Sequence, residues 1–75
     1  MNMARIISLK KDTTKKNYSR GQSVSDYNFE GGSFSIWTYK NGDINRSGDC
    51  SQNLQFDKEH ARVLRDALND FLGDT

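Results

Sequence analysis

Residues 33–40, Ser-Phe-Ser-Ile-Trp-Thr-Tyr-Lys, constrain the fold of this chain more than any other stretch. They are rich in aromatic and β-branched residues, which suit a pleated, half-buried surface. Successive side chains of a strand point to opposite faces, so Phe34 and Ile36 share one face while Trp37 and Tyr39 share the other. Asn41 and Gly42 follow, and both tolerate the positive φ of a type I′ turn, so a hairpin return is expected. A core needs only one apolar face. What the second face, with its Trp and Tyr, is for is the functional question this sequence poses.

The remaining elements are read outward from that strand. Ala-Arg-Ile-Ile-Ser-Leu-Lys-Lys predicts a first strand over about 3–11, with Ile7 and Leu9 on one face and Ile6 opposite. Residues 23–29 predict a second strand that places Tyr27 and Phe29 together, and Glu-Gly-Gly at 30–32 is a turn signal. The third strand spans 33–40. A fourth is expected over 43–56, with a bulge or loop near 47–51, and it places Leu54 and Phe56 on one face. Asp57 is a suitable N-cap for a helix over 58–72, and Gly73 a suitable C-terminal stop. Ala61, Leu64, Ala67, Leu68, Phe71 and Leu72 form its apolar stripe. The expected fold is a single α+β domain over 1–75, a four-stranded antiparallel β-meander followed by one C-terminal amphipathic helix, ββββα.

Size adds a second expectation. A 75-residue chain buries only about 60% of the surface it exposes when unfolded. With 33% hydrophobic and 28% charged residues and a mean hydropathy of −0.90, this one gains from a partner or from self-association. A homodimer is therefore expected. No segment has the length of a membrane span or the pattern of a signal peptide, so no membrane partner and a cytoplasmic, intracellular setting are expected. The single Cys50 makes no internal disulfide.

The net charge of +1 hides an asymmetry, because residues 1–20 carry +5 and the rest −4. Lys10, Lys11, Lys15, Lys16 and Arg20 concentrate the positive charge in one segment. Such a segment serves either as a solvated loop that aids solubility or as a source of phosphate contacts.

Catalytic patterns are missing. His60 is the lone histidine, and Cys50 lies ten residues before it with no orienting group in sight. Neither glycine-bearing loop precedes a helix as a phosphate-cradling loop would. A zinc site needs about four ligands, and these residue types do not supply them. The expectation is no enzyme activity, no cofactor and no metal.

Aromatic residues interleaved with basic ones are what remains. Trp37 and Tyr39, flanked by Lys40 and, across the hairpin, Arg46, with Tyr27 from the neighbouring strand, resemble a platform on which bases stack while cations hold phosphates. The expected function is a non-enzymatic binding module for single-stranded nucleic acid, using these residues and the basic segment 10–20. The alternative is a small protein–protein interaction or inhibitor protein of the mobile-element type, with the same aromatics as the interface, since Trp and Tyr dominate such patches. A third use of the face is as a dimer seam.

Over residues 33–72 the aromatic strand Phe-Ser-Ile-Trp-Thr-Tyr-Lys, the turn Asn-Gly-Asp, and Asn-Leu-Gln-Phe-Asp-Lys-Glu-His-Ala-Arg-Val-Leu-Arg-Asp-Ala-Leu resemble the positive-cofactor-four family of single-stranded-DNA-binding modules. The resemblance implies a homodimer whose bent sheets form grooves for unpaired strands and whose helices join the protomers. It implies that Trp37 occupies the aromatic position of the central strand. It also implies that Arg46 or the basic segment supplies phosphate contacts. Gly-Asp-Cys-Ser-Gln stands where that family usually carries a Lys/Arg–Gly run.

Overall fold

The computed structural model describes residues 2–15, 21–40 and 42–74. Four strands, β1 (Asn2–Arg5), β2 (Ser25–Glu30), β3 (Ser33–Thr38) and β4 (Gln52–Phe56), precede one helix, α1 (Lys58–Leu72). The class is α+β, as expected, but the sheet is mixed. Its order is β1-β4-β3-β2, with β3 antiparallel to both β2 and β4 and β1 parallel to β4. The expectation of a purely antiparallel meander is corrected at β1. The residues between β1 and β2 are too many for a tight hairpin, and parallel pairing requires just such a long connection. β1 is therefore released from β2 and fills the free edge of β4.

Local chemistry explains the turns and ends. Gly31 takes a φ of 61° in the two-residue loop between paired Glu30 and Ser33. This is the position at which a type II′ turn demands glycine. Beyond β3, the Lys40 carbonyl accepts the Asp43 N–H; Asn41 of the expected Asn-Gly turn lies outside the described residues. The return strand, however, begins only at Gln52 rather than at 43. Asp43 is the reason: its carboxylate accepts the backbone N–H groups of Ser47 and Gly48 and the Ser47 hydroxyl, folding 43–48 into a loop. Those same bonds, the Ser47 N–H first, hold the Asp43 carboxyl below the usual aspartate range. β1 is likewise shorter than 3–11, although Ile6 N–H still reaches the Gln55 carbonyl.

Helix α1 matches its expected span. The Asp57 carboxylate accepts the His60 N–H at 2.8 Å, satisfying one of the orphan donors of the first turn. Gly73, at φ 79°, closes the other end with its N–H on Asp70, and Asp74 N–H bonds to Asn69. No described helix is long and apolar enough to cross a membrane.

Strand register sorts the sheet into two unlike faces. Tyr27 pairs with Ile36, Phe29 with Phe34, Phe34 with Phe56 and Ile36 with Leu54, so these side chains share the apolar face. There the Tyr27 and Phe29 rings stack on Phe34 at centroid distances of 5.8 and 6.3 Å. Ala61 of the helix borders the same cavity as Phe29, Phe34 and Phe56. Phe56, 6% exposed, is the buried hydrophobic residue among those described. The rest of this side is open: Tyr27 and Phe29 are exposed, and the helix stripe continues through Leu68, Phe71 and Leu72 into solvent.

Candidate nucleic-acid interface

Trp37 stands on the face opposite the helix. Its cross-strand partners are Asp26 on β2 and Asn53 on β4, and Ser35 lies between Asn28 and Gln55. Around Trp37 this face is mostly polar on β2, β3 and β4, with Met3 of β1 exposed beside Asn53 at its edge. With Phe29, Glu30 and Ser33, the residues Asn28, Ser35, Trp37 and Asn53 line a shallow groove of about 440 Å³. One rigid aromatic plane thus sits among amide and hydroxyl groups that both donate and accept hydrogen bonds. A planar heterocycle has a surface to stack on and partners for its edge.

The indole is held in place. Its Nε1–H donates to the Tyr39 hydroxyl at 3.0 Å, joining the two aromatic residues of the face. Arg46 arrives from the 43–51 loop with a left-handed φ of 56°. Its Nε donates to both carboxylate oxygens of Asp26, at 2.9 and 2.8 Å, and its Nη1 to the Ile44 carbonyl at 3.2 Å. The Asp26 hydrogen bond and charge push the guanidinium pKa up, with smaller contributions from Tyr39 and Asp43. Arg46 is thus already paired with the carboxylate of Trp37's cross-strand partner.

The structure therefore brings Trp37, Tyr39 and Arg46 together. Lys40 is exposed just beyond the end of β3. Tyr27 does not join them: its register with Ile36 turns it to the apolar face, where it stacks on Phe34. Lys10, Lys11 and Lys15 are exposed in the segment after β1. There Asp12 accepts the N–H groups of Thr14 and Lys15 and the Thr14 hydroxyl in a local turn, and its carboxyl is held low by the Thr14 bonds first. Lys16 and Arg20 lie outside the described residues.

Asp26, Asn28, Ser35 and Asn53 were not among the expected site residues. Their signal was present in the alternation of Ser-Asp-Tyr-Asn-Phe-Glu, once the two-residue glycine loop fixes Glu30 opposite Ser33. Elsewhere, ligand atoms of Asp57, Glu59 and His60 lie within 4.8 Å of one another. Helix capping accounts for that closeness, since Asp57 Oδ1 takes both the N–H and the Nδ1 of His60. The chain matches no protein-family model, no curated protein and no solved structure.

Proposed function

We propose that this chain is a non-enzymatic binding module that holds single-stranded nucleic acid against Trp37, and that it works as a homodimer closed through its opposite, apolar side. The separation of the two faces carries the reading. Apolar packing and the helix use the Phe34 and Phe56 side, so Trp37 is not committed to the core. It is a half-buried ring fixed by Tyr39 on a polar groove, which is the arrangement a stacking platform needs. The resemblance over residues 33–72 points the same way.

The dimer reading rests on the other face. A sheet face bearing Tyr27 and Phe29 and a helix stripe bearing Leu68, Phe71 and Leu72 are both left open. The stripe of one copy and the sheet of another are complementary in chemistry, and a twofold pairing buries both at once. A chain with so small a buried core gains most from such closure.

The test uses a labelled, unstructured oligonucleotide of about ten residues, followed by fluorescence anisotropy. Stacking on one aromatic ring is worth about 1–3 kcal/mol, so Trp37→Ala is expected to weaken binding between about fivefold and a hundredfold. Absence of binding by the native chain, or equal binding by the variant, contradicts the proposal. A protein ligand on the same face is the second reading, favoured by the paired Arg46 and by Asp26 and Glu30 on this side. It predicts no response to oligonucleotides at any salt concentration.

A further inference from the structure

We propose that Asp26 tunes the affinity of this face for phosphodiesters by occupying Arg46 in the free protein as an internal substitute for phosphate. The inference rests on the nucleic-acid reading of the Trp37 groove and adds to it a residue that sets selectivity.

The placement is specific. Asp26 is the direct cross-strand partner of Trp37, so its carboxylate lies beside the ring on which a base would stack. Arg46 is delivered to it by a loop that Asp43 organises through Ser47 and Gly48. The guanidinium is further fixed by the Ile44 carbonyl. Neither partner is sealed from solvent: the Arg46 side chain is 41% exposed and that of Asp26 32%.

The chemistry follows from the fork shape of arginine. A guanidinium carries five N–H donors, and the contacts to Asp26 and Ile44 engage only Nε and Nη1. Carboxylates and phosphates are interchangeable acceptors for such a fork. A strand whose base stacks on Trp37 brings a phosphate toward Arg46, which Asp26 holds next to the ring's cross-strand position, and there it meets the like charge of Asp26. Binding proceeds by exchange, as the phosphate takes the Arg46 donors and the carboxylate yields them. Asp26 thereby lowers affinity for the charged backbone and leaves the base as the larger share of what the groove recognises.

The experiment compares the native chain, Asp26→Asn, Arg46→Gln, the double variant and Trp37→Ala, with labelled oligothymidine over a series of salt concentrations. Asp26→Asn keeps an acceptor for Arg46 while removing the charge. It is expected to tighten binding about threefold or more at low salt, the range typical of an exposed charge pair. The slope of log affinity against log salt should steepen by about 0.7, the value of one phosphate contact on a single strand. Adding Arg46→Gln should erase both gains. Unchanged or weaker binding by Asp26→Asn with the native salt slope, while Trp37→Ala still loses affinity, overturns the role of Asp26 and leaves the stacking site standing. No binding by either the native chain or Asp26→Asn overturns both. A second readout needs no variant: the Arg46 Nε–Hε resonance of the native chain should move on saturation with oligothymidine, and a resonance that stays fixed overturns the exchange.

Discussion

In an isolated monomer, replacing Phe71 by Asp would change little, because the ring is 83% exposed and surface substitutions stay within about 0.5 kcal/mol. In the proposed dimer the same ring lies against a second copy. Full burial of a phenylalanine side chain stabilises by about 1.5–3 kcal/mol. Applied to the 83% still exposed, each ring offers about 1.2–2.5 kcal/mol. A twofold interface uses it twice, so Phe71→Asp removes roughly 2.5–5 kcal/mol per dimer before any cost of confining the new carboxylate. The dissociation constant should rise by about two orders of magnitude or more. Sedimentation equilibrium of both proteins over a range of concentrations reads this directly, with helix content by circular dichroism as a check on folding. A native chain that stays monomeric up to about 100 μM would show that the apolar face is not closed by a copy. A Phe71→Asp protein that dimerises like the native chain would show that the helix stripe is not in the interface.

Two further outcomes bear on the fold. Phe56→Ala empties the buried position between sheet and helix, and at about 3–5 kcal/mol for a Phe→Ala core change it should remove most of the stability of so small a domain, as measured by urea denaturation. Asp57 has its pKa lowered by the His60 N–H first, then by the His60 side chain. Its folded value lies below its unfolded one, so the stabilisation is fully present above about pH 4 and is lost as pH falls through the folded value. Thermal melts from neutral to strongly acid pH should therefore show a smaller acid loss for Asp57→Ala than for the native chain; identical acid dependence would refute the cap's contribution.

Where each element lies was largely legible in the sequence, because the local signals agreed with the tertiary outcome. The Asp57 and Gly73 caps delimit α1, and the alternation over 33–40 locates β3, which ends two residues earlier at Thr38. What escaped was information that no local window contains. The partner of β1 depends on which sheet edge remains free, not on the residues of β1 itself. The side of Tyr27 depends on register, and register was set by the two-residue loop at Gly31 and Gly32. The expected return strand shortened because one carboxylate, Asp43, outcompeted the ladder for the backbone of Ser47 and Gly48. At the candidate site the Trp37–Tyr39 pairing was readable from alternation, whereas the capture of Arg46 by Asp26 joins residues twenty positions apart. A basic residue therefore read as available to phosphate is, in the folded chain, held by an acid.

The most direct test of the account follows the fluorescence of Trp37, the single tryptophan of the chain, while an unstructured single-stranded oligonucleotide is added at low and then moderate salt. The account predicts quenching that saturates, with affinity falling as salt rises but only shallowly, as befits one stacked base and few phosphate contacts. A flat titration at low salt, from a folded protein, would contradict it.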